Sequence, residues 1–228
     1  MQGALLVDKP AGWTSFDVVN YVRRMVASAE GKKPKHVKVG HTGTLDPFAT
    51  GLLVLLVGKE YTRRAGELSK LDKTYEVTMR LGETSSTGDP EGEVTVVGGT
   101  QPSEEAVAAA LHTFTGQIQQ VPPAFSAIKV NGQRAYKLAR SGKEVVLEPR
   151  KVTINRLELL NYAYPEVQFI ADVSSGTYIR SLVEDVAKEL GTGAYTLALR
   201  RSKVGQFSIE NAAKVESLEA STLPIGRL

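Results

Sequence analysis

The sequence predicts an α+β fold in which helices flank a mixed, mostly antiparallel central sheet. Residues 75–81 and 167–173 alternate apolar and polar side chains, a pattern typical of half-buried strands. Residues 52–57 are continuously apolar and end at Gly58, which favours a strand buried on both faces. Strand patterns outnumber helical ones along the chain, so one large sheet is expected.

Length and composition restrict the class of protein. The 228 residues suffice for one large domain or two small ones, and 42% of them are hydrophobic. The chain has no cysteine, which excludes disulfides, thiolate zinc sites and cysteine nucleophiles. It begins without a basic leader and contains no apolar run near the roughly 20 residues of a membrane helix. We therefore expect a soluble, cytoplasmic protein without membrane contact.

Three segments have the apolar spacing of helices. The first begins at Thr14, which forms a capping box with Asp17, and the second begins at Ser103. The third follows the turn 174–177 and ends at Gly191. Its first turn contains Tyr178 and Arg180, beside or at the edge of the buried stripe.

Further short strands are predicted outside these helices. They cover residues 4–7, 94–97, 124–130 and 152–160. Residues 117–123 are expected to be extended, because Pro122 and Pro123 exclude a helix there. Asn131-Gly132 is a strong hairpin-turn signal. Residues 197–205 form a short basic segment, and the chain from Ser208 onwards has no clear pattern.

The glycine-rich stretch 37–56 presents a single carboxylate, Asp46, directly before Pro47. Proline disfavours helical backbone at the residue before it, so Asp46 is expected on an extended turn that leads into the buried strand. The residues alone leave two interpretations open. Asp46 is either an acid aimed into a cleft or a turn residue that bonds to its own backbone.

Two basic stretches, 32–38 and 134–143, are candidate RNA-phosphate contacts or ordinary solvated surface. The second includes Tyr136, and an aromatic among basic residues suits stacking on a base. The histidines do not have metal-ligand spacing, and the run from Gly51 to Lys59 departs from the phosphate-binding loop in spacing. No cofactor or metal is therefore predicted.

Five motifs, in order along the chain, resemble those of the TruB family of tRNA pseudouridine synthases. They are Asp8-Lys9-Pro10-x-Gly12-x-Thr14-Ser15, the dozen residues 40–51, Lys73-x-Tyr75 with Leu81-Gly82, Pro122-Pro123-x-x-Ser126-Ala127-x-Lys129 with Arg134-Ala135-Tyr136, and residues 176–182 with Leu199-Arg200-Arg201. Together they run from Asp8 to Arg201, which is nearly all of residues 5–207. The resemblance implies a pseudouridine-synthase-like sheet with RNA-binding loop insertions.

The resemblance also implies a reaction and its residues. A uridine in the T loop of tRNA, at position 55, is flipped out, detached, rotated and rejoined through carbon, without metal or redox cofactor. Asp46 is implied as the catalyst, either as nucleophile or as the base that removes a ribose proton. Arg180 is implied to pair with Asp46, and Tyr75 to stack on the base. The remaining residues implied at the substrate are His41, Gly43, Thr44, Lys73, Tyr178 and Leu199.

The implied organisation is a catalytic domain over residues 1–210 and a short tail over 211–228, with the family's usual C-terminal RNA-binding domain absent or truncated. The implied partner is the tRNA T arm, and nothing in the sequence demands a protein partner, so a monomer is expected. Three alternatives stay open. They are a non-catalytic RNA chaperone, a pseudouridine synthase with another RNA target, and an aspartyl-phosphate enzyme, which the lack of a D-x-D pair disfavours.

Overall fold

The computed structural model describes residues 1–99, 101–130 and 132–226. The chain forms two compact units. Unit one comprises Met1–Tyr75 and Leu199–Leu228, and unit two comprises Glu76–Ala198. The strands of the described ranges include ten that belong to a mixed, mostly antiparallel sheet, so the predicted fold class is confirmed. None of the helices in those ranges combines the length and apolar character needed to cross a membrane.

The strands are numbered in chain order. They are β1 (Gly3–Lys9), β2 (Val39–His41), β3 (Thr50–Val57), β4 (Lys73–Leu81), β5 (Glu83–Ser85), β6 (Val94–Val96), β7 (Gly116–Gln120), β8 (Lys129–Val130), β9 (Gln133–Arg134), β10 (Arg150–Ala163), β11 (Glu166–Val173), β12 (Ala194–Val204), β13 (Phe207–Ser208) and β14 (Ala213–Lys214).

The helices are α1 (Ser15–Ala29), α2 (Lys59–Arg63), α3 (Ala65–Leu68), α4 (Glu104–Thr113), α5 (Ala135–Arg140) and α6 (Ile179–Glu189). Short 3₁₀ helices cover Pro34–His36, Ile209–Asn211 and Val215–Ser217. The three predicted helices correspond to α1, α4 and α6.

Strand β3 is the centre of unit one. It pairs antiparallel with β1 and β2 and parallel with β12. Residues 52–57 are fully buried, as their apolar run predicted. Leu53, Leu55 and Val57 pack with the apolar face of α1, whereas Leu52 and Val54 pack on the opposite side with Val204. The strand is therefore buried on both faces.

Helix α1 begins at the predicted capping box. The Thr14 hydroxyl accepts from the Asp17 amide at 3.1 Å, and the Asp17 carboxylate accepts from the Thr14 amide at 2.9 Å. The two bonds satisfy amides that the first turn of a helix leaves without partners. They fix where α1 begins, beside the loop that precedes β3.

Unit two contains the strand order β4-β11-β10-β7. Strands β10 and β11 form a long antiparallel pair, interrupted by two register shifts. The alternation predicted for residues 167–173 is confirmed, because Val167, Phe169 and Ala171 are fully buried. Helix α4 is capped by the Ser103 hydroxyl, which accepts from the Ala106 amide at 3.2 Å.

The predicted strand at 124–130 is wrong for most of its length, since only β8 (Lys129–Val130) is a strand. The carbonyls of Ser126 and Ile128 accept from the amides of Tyr136 and Ala135, so they are not available to a neighbouring strand. Asn131, in the predicted hairpin turn, lies outside the described residues, and β8 and β9 pair antiparallel on either side of it.

Other differences from prediction lie in segments with charged side chains. The charged segment 59–73 includes the short helices α2 and α3, which were not predicted. The segment 197–205, described from the sequence only as short and basic, belongs mostly to the eleven-residue strand β12, which was not predicted. Burial of Arg201 inside this strand masks its apolar alternation in the sequence.

The close approach of β12 to β3 requires a glycine at position 51. Gly51 has φ +103°, and a Cβ there would lie 2.4 Å from the Arg201 carbonyl oxygen. Gly116 has nearly the same φ, +105°, but a Cβ there would meet nothing within 4 Å.

We therefore expect Gly51→Ala to destabilise the protein well beyond the matched control Gly116→Ala. The control isolates backbone strain, about 1–2 kcal/mol, and the clash adds a further ~1–3 kcal/mol. Urea unfolding followed by circular dichroism measures both variants. Equal losses of stability would show that β12 can move away from β3 at little cost.

Candidate active site

Asp46 lies in unit one on the segment between β2 and β3, here called the Asp46 loop (residues 42–49). Asp46 is partly exposed, while the neighbouring Leu45 is buried. The buried Ser15 hydroxyl accepts from the Leu45 amide at 2.8 Å and contacts the Leu45 carbonyl at 3.1 Å. The Ala49 amide donates to the Asp46 carbonyl at 3.1 Å. The start of α1 therefore holds the residue directly before Asp46.

A buried lysine holds the residue directly after it. Lys9 is 0% exposed, and its ammonium donates to the carbonyls of Pro10 at 2.8 Å, Trp13 at 2.7 Å and Pro47 at 3.1 Å. The Gly12 amide also donates to the Pro47 carbonyl, at 2.8 Å. One ammonium thus connects the end of β1, the turn before α1 and the Asp46 loop.

A buried arginine contacts the start of the Asp46 loop and the strand β3 that follows the loop. Arg201 on β12 is 1% exposed, and its Nε donates to the Leu52 carbonyl at 2.8 Å. Its Nη2 and Nη1 donate to the carbonyls of Gly43 at 3.0 Å and Thr44 at 3.4 Å. These acceptors lie before and after Asp46 in the chain.

Lys73, predicted to contact substrate, is 8% exposed, and its ammonium donates to the carbonyls of Ser69 and Leu71. A Cβ at Gly43 would lie 3.5 Å from Nη1 of Arg201 and 3.8 Å from Cε of Lys73, so both cations approach this glycine. Burial, and after it the charge of Arg201, lowers the pKa of Lys73 to about 8, against an opposing effect of Asp72.

His41 is the last residue of β2, opposite Leu55 in β3. Burial, and after it the charge of Arg201, lowers the pKa of the imidazole. The ring is therefore neutral at pH 7, and its Nδ1 is buried without a hydrogen-bond partner among the described residues. A neutral, partly buried ring at the start of the loop is suited to packing against an apolar or stacked group.

Two further predicted residues lie on strands and are largely buried. Tyr75 on β4 and Leu199 on β12 are each 8% exposed. Lys73, two residues before Tyr75, is also buried, and so is Arg201, two residues after Leu199. In both strands the spacing of two places these pairs on one face.

In unit two, Arg180 at the start of α6 makes a second group of hydrogen bonds and an ion pair. It is 4% exposed, and its Nη1 lies 3.2 Å from the carboxylate of the buried Asp89. The same guanidinium donates to the carbonyls of Thr87 and Phe125, each at 2.8 Å. The predicted pairing of Arg180 with Asp46 stays a prediction.

Tyr178, directly before α6, is held through its main chain. The buried Gln120 side chain accepts from the Tyr178 amide at 2.8 Å and donates to the Tyr178 carbonyl at 3.1 Å. The Ser181 hydroxyl donates to the Val121 carbonyl at 2.8 Å. The end of β7 and the first turn of α6 are therefore joined on both sides of Arg180.

The predicted residues thus fall into two groups. Unit one brings His41, Gly43, Thr44 and Lys73 together around Arg201, within and beside the Asp46 loop, and unit two holds Tyr178 and Arg180. The residues that hold these groups were not predicted as site residues; they are Lys9, Ser15, Asp89, Gln120 and Arg201. A signal existed for Asp89, since Asp89-Pro90 repeats the Asp46-Pro47 dipeptide.

Comparison with known families matches residues 31–224 of the chain. Residues 31–179 match the model of the TruB family pseudouridylate synthase N-terminal domain. Residues 180–224 match the tRNA pseudouridylate synthase B C-terminal domain.

Curated relatives agree with this match. The chain is 44% identical to tRNA pseudouridine synthase B of Thermobifida fusca, over 96% of this chain and 74% of that protein. It is 45% identical to the protein of the same name from Burkholderia mallei, over 97% of this chain and 70% of that protein. The corresponding protein of Aquifex aeolicus is 44% identical, over 98% and 76% of the two chains.

Solved structures show the same fold. A Cbf5–Nop10–Gar1 complex aligns with a TM-score of 0.72 and 28% identity, over 95% of this chain. An H/ACA RNP bound to a substrate RNA containing 2′-deoxyuridine aligns with a TM-score of 0.68 and 26% identity, also over 95%. The chain spans about half the length of these solved chains, 53% and 52%.

The fold is that of an RNA pseudouridine synthase, and the sequence likeness to curated synthases extends over nearly all of the chain. The chain belongs to the TruB family of pseudouridylate synthases.

The lowered pKa of Lys73 has a consequence for stability. The folded protein loses this proton near pH 8, whereas an unfolded lysine keeps it until about pH 10.5. Between these values the unfolded chain binds more protons, so stability rises with pH relative to a variant without the amine.

We expect the difference in unfolding free energy between wild type and Lys73→Met to shift in favour of wild type from pH 7.5 to pH 10. The shift is at most about 3 kcal/mol. Urea unfolding at several pH values measures it. Lys70→Met, which removes an exposed lysine from the same segment, is the control. A difference that is constant or reversed in sign would contradict the lowered pKa.

Proposed function

We propose that this protein isomerises the uridine at position 55, in the T loop of tRNA, to pseudouridine, with Asp46 as the catalyst. The observation that carries the proposal is the construction of the Asp46 loop. Lys9, Ser15 and Arg201 hold the backbone on both sides of Asp46, while Asp46 itself stays partly exposed. The names of the curated relatives support tRNA as the substrate.

The proposed reaction conserves atoms and electrons. The bond between uracil N1 and ribose C1′ breaks, the base rotates, and a bond forms between C5 and C1′. The proton on C5 is then lost and N1 gains a proton. A carboxylate that attacks as a nucleophile, or one that removes a ribose proton, can begin this sequence. Both roles for Asp46 belong to the proposal.

The other site residues have complementary proposed roles. Arg180 pairs with Asp46 and keeps the carboxylate ionised and oriented. Tyr75 stacks on the flipped base and assists the proton transfer at C5, and Tyr178 and Leu199 line the base pocket. The bonds that Arg180 makes to Thr87 and Phe125 support this role, because they fix the guanidinium before any RNA binds.

The target uridine lies in a folded RNA loop, and this determines how the enzyme must recognise its substrate. The enzyme must extrude the uridine, which costs on the order of a few kcal/mol of stacking and pairing. His41, neutral because its pKa is lowered, is suited to fill the space that the base leaves. Gly43, Thr44 and Lys73 are the proposed substrate contacts beside His41. The basic stretches 32–38 and 134–143 contact the surrounding phosphates in the proposal. We propose that the enzyme acts as a monomer in the cytoplasm.

The test measures tritium release from a tRNA transcript labelled at C5 of its uridines. We expect wild type to release one tritium per tRNA. We expect Asp46→Asn to release none, because an amide is neither a nucleophile nor a base here, while still binding the tRNA with nearly unchanged affinity. A transcript with cytidine at position 55 is the control for the target.

Three outcomes would contradict parts of the proposal. Turnover by Asp46→Asn, beyond what deamidation supplies, would remove Asp46 as the catalyst. Release from the transcript with cytidine at position 55 would indicate another target. Tight binding without release by wild type would favour a non-catalytic RNA chaperone.

A further inference from the structure

Arg201 joins the two stretches of main chain that flank Asp46. Its Nη2 and Nη1 reach the carbonyls of Gly43 and Thr44, before Asp46, and its Nε reaches the carbonyl of Leu52, after it. The backbone of Arg201 is itself held by parallel pairing with β3, opposite Gly51. One guanidinium thus links the backbone at residues 43 and 44 to the backbone at residue 52.

The three hydrogen bonds of Arg201 depend on a side-chain geometry that lysine does not reproduce. The guanidinium carries its donors in a rigid planar fork, so three carbonyls in fixed directions can be bound at once. An ammonium is a compact charge on a flexible stem and does not fix directions in the same way. Because Arg201 is 1% exposed, leaving one of its donors without an acceptor is costly.

The charge of Arg201 is not neutralised by these bonds. Carbonyl groups are neutral, and within residues 1–99, 101–130 and 132–226 no carboxylate forms an ion pair with Arg201. The charge instead acts on its surroundings, where it contributes to the lowered pKa of both His41 and Lys73. A buried cation at this place favours negative charge in the adjoining loop.

We propose that Arg201 is a positioning residue for the isomerisation, which holds the main chain on both sides of Asp46 and so sets where its carboxylate lies. The inference rests on the proposed catalytic role of Asp46. Arg201 acts through main-chain carbonyls and touches neither the base nor the ribose. A role of this kind affects the chemical step and leaves RNA binding largely intact.

The experiment compares Arg201→Met and Arg201→Lys with wild type in the tritium-release assay, and their tRNA affinity by filter binding. We expect Arg201→Met to lower kcat about 100-fold, since displacement of a reacting group by about 1 Å costs that much. The Kd for tRNA should change little. We expect Arg201→Lys to recover part of the loss, because it keeps the charge and some of the carbonyl bonds.

Arg200→Met is the matched control. It removes one charge from the adjacent position of β12, where the partly exposed Arg200 pairs with the Asp8 carboxylate at 2.8 Å. We expect its kcat to stay close to wild type. Circular dichroism and thermal melting establish the folded fraction of each variant, and kcat is calculated for the folded protein.

A normal kcat in folded Arg201→Met, or a rise in Kd that accounts for the whole loss, would overturn the positioning role. If Arg201→Met does not fold, Arg201→Lys decides alone. Its kcat should then be about tenfold lower at unchanged Kd, and a kcat equal to wild type would overturn the role. Turnover by Asp46→Asn would instead remove the proposed catalyst, whichever way the Arg201 variants behave.

Discussion

Buried cations bonded to main-chain carbonyls are the interaction on which the Asp46 loop depends. Lys9 and Arg201 are almost without solvent contact, and each donates to three carbonyls. A buried charge without compensating bonds costs several kcal/mol, so the carbonyls cannot leave without a large penalty. The cations therefore constrain a glycine-rich segment that has no helical or strand structure for most of its length.

The same constraint explains why particular residues surround the loop. Gly51 permits β12 to approach β3, which brings the Arg201 side chain beneath the loop. The capping box of α1 fixes the position of Ser15, whose hydroxyl holds Leu45. In unit two, Gln120 and Arg180 likewise bond to main-chain groups. Side-chain to main-chain bonds thus hold both groups of predicted site residues in place.

Much of the fold could be predicted because its signals are local. The capping box at Thr14 and the apolar run before Gly58 are visible in a few consecutive residues, and both predictions were confirmed. The strand predicted at 124–130 was wrong because carbonyls in that segment bond to residues 135 and 136. Strand β12 was not predicted, because a buried arginine occupies an inward position within it.

Less of the candidate site than of the fold could be predicted from the sequence. The motif around Asp46 identified the family, but nothing in the sequence indicated that the charged side chains of Lys9 and Arg201 are buried. Their burial becomes evident only when β1, β12 and the Asp46 loop, distant in sequence, are placed together. The same holds for Asp89, whose carboxylate is buried beside Arg180 of a distant segment.

Hydrogen exchange in the RNA-free protein tests most directly whether the Asp46 loop is fixed before substrate binds. The amides of Leu45 and Ala49 are the reporters, because they donate to the Ser15 hydroxyl and the Asp46 carbonyl. The exposed Val146, outside helices and strands, is the fast-exchanging reference. We expect both amides to exchange about as slowly as those of β3. Exchange as fast as that of Val146 would contradict the account, since it would mean that the buried cations do not hold the loop.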